Sequence, residues 1–405
     1  MPSVELIISA FLGLALFASV VSRRTRVPYT LVLVAFGLVL AASSVSSLLG
    51  VNLVYDRLVG GGLFVGLVLP PLLFESMMNI NAREFRELIR PSLLLATVGV
   101  AIATVVVGLL LWRLASLPAY SAFLFAALIA PTDVATVLEI FKRAGVPSQL
   151  ATLMETEAVF NDATALTIFS IVLTSFASSQ LDFFGAAARF ATVFGGGVLV
   201  GLAVAVGARL LTRVASDPMS QIMLTLAAVY GSFAVAASLG LSGLVAVAVT
   251  GLYFGDAVIK GIVPGRSAEV LRAFWFILVF IANTLAFLYI GLSTNVVQLA
   301  QGMELIGVAY LAVVASRFAS VYPILGVERI GGERLPTRWL NVAMLGGMRG
   351  ALSIVLVALL PDTVPARSLI TTMALGVAFI SIVLQGPLLG WYTKRAFGVQ
   401  TTLRE

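Results

Sequence analysis

Windows of about 20 apolar residues recur along the whole chain, separated by short polar breaks, and no stretch keeps the alternation of a half-buried strand. At about 1.5 Å per residue, such a window covers the roughly 30 Å hydrocarbon core of a bilayer as a helix. The pattern predicts spans near 4–21, 28–45, 58–78, 92–113, 119–141, 150–176, 185–208, 219–238, 241–256, 269–293, 303–325, 338–360 and 368–393, about 13 transmembrane helices in all. The first window has no basic flank before it and carries Arg23, Arg24 and Arg26 behind it, so it reads as a retained span rather than a signal peptide.

Composition agrees with an all-α polytopic membrane protein. Of 405 residues, 60% are hydrophobic and 11% charged, more apolar surface than one soluble core can hide. Glycine, at 36 residues, is frequent within the windows and lets helix backbones approach closely. Cysteine and histidine are absent, which excludes disulfides and thiolate chemistry and leaves carboxylates to handle protons near neutral pH. The net charge of +6 reflects topology rather than nucleic acid. With the N-terminus outside, Arg57, Arg113, Arg189 and Arg367 fall outside, Arg317 and Arg349 lie within spans, and the remaining nineteen of 25 basic residues lie inside. The C-terminus is then expected in the cytoplasm, with 396–405 a short tail and no sizeable regulatory domain.

Segments 1–6 (residues 1–176) and 8–13 (216–395) can be set against each other as two inverted six-helix repeats, with 177–215 as a linking helix that reverses the second half. The fifth segment of each half is interrupted, by Ala130-Pro131-Thr132-Asp133 and by Gly346-Gly347-Met348-Arg349-Gly350. Discontinuous helices at matching positions are where transporters hold their cargo.

Charges at membrane depth need a partner or a purpose. Asp133 sits at the first break, where unwound carbonyls could coordinate a cation, or where it could instead cap freed N–H groups. On segment 6, Ala158 and Asp162 share a helix face with Glu155 below, while Glu157 and Asn161 lie one turn apart on the adjacent face. Asp162 lies deep, where an empty charged carboxylate is costly, so it tends to hold a proton or a metal ion. Arg349 needs an anion, and Glu157 is its expected partner, whereas Arg317 has none evident and reads as structural. Glu75, Glu155 and Glu139 lie near the cytoplasmic end, Glu75 and Glu155 as candidates for an access funnel or simply as solvated carboxylates.

The Glu157–Asp162 run with its Asn-Asp pair, the Pro-Thr-Asp break, the Gly-Gly-Met-Arg-Gly stretch, the Leu-Pro-Pro run at 69–71 and the run Phe287 to Thr294 together resemble the monovalent cation:proton antiporters of the NhaP and NHE branch, over nearly the whole chain. The resemblance implies an NhaA-like antiporter fold with crossed discontinuous helices in the plasma (inner) membrane. It implies a homodimer in which a core of segments 4–6 and 11–13 moves against an anchored dimerisation domain. It also implies that Asp162 carries cation and proton, with Asp133 and Thr132 completing the site, and that Glu157 pairs with Arg349 and Asn161. An Asn-Asp pair implies electroneutral exchange. Ala158 stands where the family usually has serine, so one expected ligand is missing, and Asn283 precedes Thr284 where animal exchangers have glutamate.

The expected function is therefore electroneutral sodium/proton antiport in which Asp162 and Asp133 meet the metal ion, with no enzymatic step and no cofactor beyond the transported Na+ and H+. Potassium/proton antiport on the same fold is an alternative. A passive cation channel and an intramembrane aspartyl protease using Asp133 and Asp162 are the rivals from other classes, the protease lacking a Gly-x-Gly-Asp site, and a third rival keeps the fold but carries an organic anion or bile acid.

Overall fold

A computed structural model describes residues 4–25, 27–42, 63–178, 183–212, 217–263, 265–293, 296–330, 333–361 and 363–398. Arg26, Arg57, Arg213 and Arg404 of the charge pattern, and Thr294 of the sequence motif, lie outside them.

The described residues form a bundle of helices: α1 (Val4–Thr25), α2 (Tyr29–Ala42), α3 (Leu63–Asn79), α4 (Ala82–Leu114), α5 (Ala119–Ile129), α6 (Ala135–Ala144), α7 (Ser148–Ser178), α8 (Phe183–Thr212), α9 (Pro218–Ser238), α10 (Gly243–Ile259), α11 (Gly265–Ser293), the short α12 (Val296–Gln301), α13 (Met303–Val327), α14 (Thr337–Leu345), α15 (Ala351–Ala358) and α16 (Arg367–Phe397). A two-residue hairpin, Arg329–Ile330 with Glu333–Arg334, links α13 to α14. Seven helices among the described residues are long and apolar enough to cross a membrane: α4, α7, α8, α9, α11, α13 and α16. The chain is thus an α-helical, multi-span membrane protein.

Helices without a hydrophobic force between them must gain by close fit. The crossing of α2 and α11 shows this directly: a side chain at Gly37 would stand 2.5 Å from the Leu288 carbonyl oxygen, and one at Gly291 would overlap the Val34 carbonyl. Two apolar clusters then flank the broken helices. The larger contains Leu124 through Ile129 of α5, Val159 and Ala163 of α7, and Leu352 and Leu356 of α15. The smaller joins Phe141, Leu150 and Met154 to Trp339, Met348 and Leu389. π-helical turns at Leu95–Gly99 in α4 and at Ser381–Gln385 in α16 interrupt the regular ladder, as π turns do where helices are locally re-aimed.

Candidate ion-binding site

Both interrupted segments predicted from the sequence are broken in the structure. The first unwinds between α5 and α6, where proline at 131 removes a donor and disfavours helix at the residue before it; the second unwinds between α14 and α15 over a run containing three glycines. The breaks cross in contact. The Asp133 N–H donates to the Met348 carbonyl at 2.8 Å. Gly350 lies so close to Asp133 that a Cβ there would overlap the aspartate side chain.

Each break leaves backbone groups that its own helix no longer satisfies. At the first, the guanidinium of Arg349 donates to the carbonyls of Ala130 and of Pro131, the latter at 3.2 Å. At the second, the Arg349 N–H donates to Ser381 Oγ at 3.0 Å, from the π turn of α16. The free carbonyls at the end of α5 carry the negative end of that helix's dipole, so the arginine supplies both the missing donors and compensating charge.

Arg349 is therefore not the partner of Glu157. That expectation is corrected by α13: Arg317 pairs with both carboxylate oxygens of Glu157, its Nη2 at 2.9 Å, and also donates to the Ala343 carbonyl through Nε at 3.2 Å and Nη2 at 2.9 Å. Glu157 is 1% exposed and Arg317 7%, so the two-pronged fit replaces solvation for both. Room for it comes from Gly347, where a Cβ would stand 2.7 Å from Arg317 Nε. Asn161 likewise turns away from Glu157: its Nδ2 donates to Thr132 Oγ1 at 2.7 Å, tying α7 to the first break.

The remaining predicted residues converge on one cavity of about 320 Å³. Thr132, Asp133, Ala158 and Asp162 line its deep part, and Glu75 and Glu155 line it together with Glu139 and Lys142. Asp133 accepts long bonds, at 3.4 Å, from the Ala135 N–H and the Thr136 hydroxyl. Asp162 accepts none, and neither aspartate pairs with a cation among the described residues. Further along, Glu155 accepts from Ser76 Oγ at 2.6 Å and Glu75 from Asn79 Nδ2 at 2.7 Å. On the other side of the breaks, Leu124 through Ile129 and Leu356 are fully buried, so packed side chains fill that half of the bundle.

The sequence reading left out Ser353 and gave Arg317 a structural role without a partner. Ser353, in the first turn of α15, lines the cavity and its buried hydroxyl has no hydrogen-bond partner. A serine three residues beyond a helix-breaking glycine was the available signal. Arg317 was visible as a charge within a span, but its partner was not. Two carboxylates without cations among the described residues, with a threonine and a serine hydroxyl, make a set of oxygen donors suited to a small hard cation or to protons.

A family described as "Sodium/hydrogen exchanger, transmembrane" matches residues 7–395. Similar proteins include the "Low-affinity Na(+)/H(+) antiporter NhaS1" of Synechocystis, 32% identical over 387 residues, covering 94% of this chain and 72% of the relative. The "Na(+)/H(+) antiporter NhaP" of Pseudomonas aeruginosa is 34% identical over 346 residues, covering 82% of this chain and 80% of the relative. Among solved structures, the sodium proton antiporter MjNhaP1 of Methanocaldococcus jannaschii at pH 8 superposes with a TM-score of 0.73 at 19% identity, covering 95% of this chain and 100% of that one.

Proposed function

The chain belongs to the sodium/hydrogen exchanger family, and from that premise we propose that it is an electroneutral sodium/proton antiporter whose cargo meets Asp162 and Asp133 at the crossing of the two breaks. It is a transporter, not an enzyme, and sodium and protons are its substrates. The observation that carries the site is the pair of deep carboxylates sharing one cavity without a cation partner among the described residues. Desolvation makes an empty anion there unfavourable, so Asp162 is occupied by a proton or by sodium, and the two compete. Thr132, held by Asn161, and Ser353 offer neutral oxygens where Ala158 offers none.

The cavity reaches Lys142, at the end of the bundle that positive charge assigns to the cytoplasm, which supports a conformation facing inward. Glu75 and Glu155 would then draw cations toward the site, and the packed half around Leu128 and Leu356 would be the closed outer barrier. Alternating access would transfer the barrier from one side of the breaks to the other. The same reading takes the chain as thirteen spans in two inverted repeats, 1–176 and 216–395 joined by 177–215, with the N-terminus outside and the C-terminus in the cytoplasm. By resemblance it works as a homodimer in the plasma membrane.

The test is made in proteoliposomes with an acidic lumen and the voltage clamped at zero, adding sodium, potassium or lithium outside while lumenal pH is followed. Sodium-driven alkalinisation in wild type, absent in correctly inserted Asp162→Asn, is the expected result. A response to potassium alone would change the cargo but not the mechanism. Cation flux without pH change would favour a channel, and undiminished exchange by Asp162→Asn would remove Asp162 from the cycle.

A further inference from the structure

A second cavity, of about 850 Å³, lies apart from the ion site. The turn between α1 and α2, the C-terminal end of α6 and the last helical stretch of α16 enclose it. Its lining carries three cations, Arg23, Arg143 and Lys394, and no acidic residue. Arg143 is held by Glu139 at 2.7 Å, while Arg23 and Lys394 are exposed and have no acidic partner among the described residues. Between the charges the walls are apolar, with Leu31 and Ile140. Trp391 stands at the rim, 57% exposed, with the Arg395 guanidinium over its ring.

Two features single out the occupant. Val383, Leu384, Leu388 and Trp391 form an exposed apolar strip on α16 leading to the cavity, as a surface facing acyl chains would. The three cations gather where that strip ends, and a tryptophan marks the same level, which is where headgroups lie. Free phosphate would satisfy the cations but leave the apolar walls and most of the volume empty. We propose that this groove binds an anionic phospholipid, its phosphate among Arg23, Arg143 and Lys394 and its chains along α16.

The site would act on the part of the molecule that matters for transport. α6 begins two residues after Asp133 and ends in the groove, and its Glu139 accepts from the Tyr29 N–H of α2 at 3.1 Å as well as from Arg143. A lipid phosphate bridging Arg23 to Arg143 adds a second clasp between α6 and the α1–α2 turn. Binding itself does not depend on the antiport reading.

The experiment uses the full chain, purified and delipidated in a neutral detergent. Dioleoylphosphatidylglycerol, dioleoylphosphatidylcholine and inorganic phosphate are added separately, and the melting temperature and the lipid retained in native mass spectra are recorded. Phosphatidylglycerol is expected to raise the melting temperature and to remain bound, whereas phosphatidylcholine and phosphate do neither. Its affinity should fall about fivefold for each cation removed in Arg23→Gln and Lys394→Gln. Arg113→Gln, at an exposed arginine outside the groove, should leave it unchanged. Equal effects of the two lipids, an effect of phosphate matching that of phosphatidylglycerol, or full phosphatidylglycerol binding by the Arg23→Gln/Lys394→Gln double variant would each overturn the proposal.

Discussion

The two breaks are alike in the sequence, each an interruption that carries a charge, yet they differ in what the charge does. The Asp133 carboxylate of the first lines the cavity and accepts long hydrogen bonds from Ala135 and Thr136. Arg349 of the second is 1% exposed and spends its donors on the carbonyls of Ala130 and Pro131. One break presents an anion to the cavity, and the other supplies the cation that keeps the first break's backbone satisfied. A charge inside a membrane is thus not by itself a sign of ligand contact: the discriminating feature is whether the protein already neutralises it.

The same distinction separates Glu157 from Asp162 on α7. Glu157 is neutralised by Arg317, and Asp162 is not neutralised at all. Glu157→Gln would leave Arg317 buried without a counter-ion, and a loss of about 3–5 kcal/mol in stability is expected. Adding Arg317→Met should restore most of it, because both charges are then gone; thermal unfolding in detergent reads both. If Arg349→Met rescues Glu157→Gln instead, the pairing drawn here is wrong.

A methyl group at position 350 tests the contact between the breaks. Gly350→Ala forces Asp133 aside, and exchange should fall by on the order of tenfold while folding is kept, as overpacking costs about 1–3 kcal/mol. Exchange at the wild-type rate would mean that Asp133 is not fixed by that contact.

Smaller effects are expected toward the mouth. Glu155→Gln should raise the half-saturating sodium concentration only a few-fold, through loss of attraction, with maximal rate unchanged and the difference shrinking in high salt. Ala158→Ser adds one hydroxyl to the lining. It is expected to shift the sodium-to-potassium preference by roughly two- to tenfold, the size of one net hydrogen bond of about 0.5–1.5 kcal/mol.

Much of this arrangement was legible in the chain. Apolar windows marked the helices because a bilayer demands some 20 apolar residues in a row, and proline or clustered glycine marked the breaks because neither sustains a helix. The helical phase of α7 put Ala158, Asp162 and Glu155 on one face, and all three line the cavity. Partner choice was not legible. Two arginines on separate spans could each reach Glu157, and only the packing of α13 beside Gly347 selects Arg317. Asn161 was assigned to the wrong neighbour for the same reason, since sequence spacing places residues on a face but does not say which helix lies opposite. Ser353 went unnoticed because a serine in an apolar run more often bonds its own preceding turn.

The central claim is that sodium and a proton compete for one deep carboxylate, and the dependence of the half-saturating sodium concentration on pH tests it most directly. In proteoliposomes at fixed ionic strength, that concentration should rise by about tenfold for each pH unit of acidification below the apparent titration midpoint of the site, with the maximal rate changing far less. A half-saturating concentration that stays constant across the same range would show that the two ions bind independently, and would contradict the account.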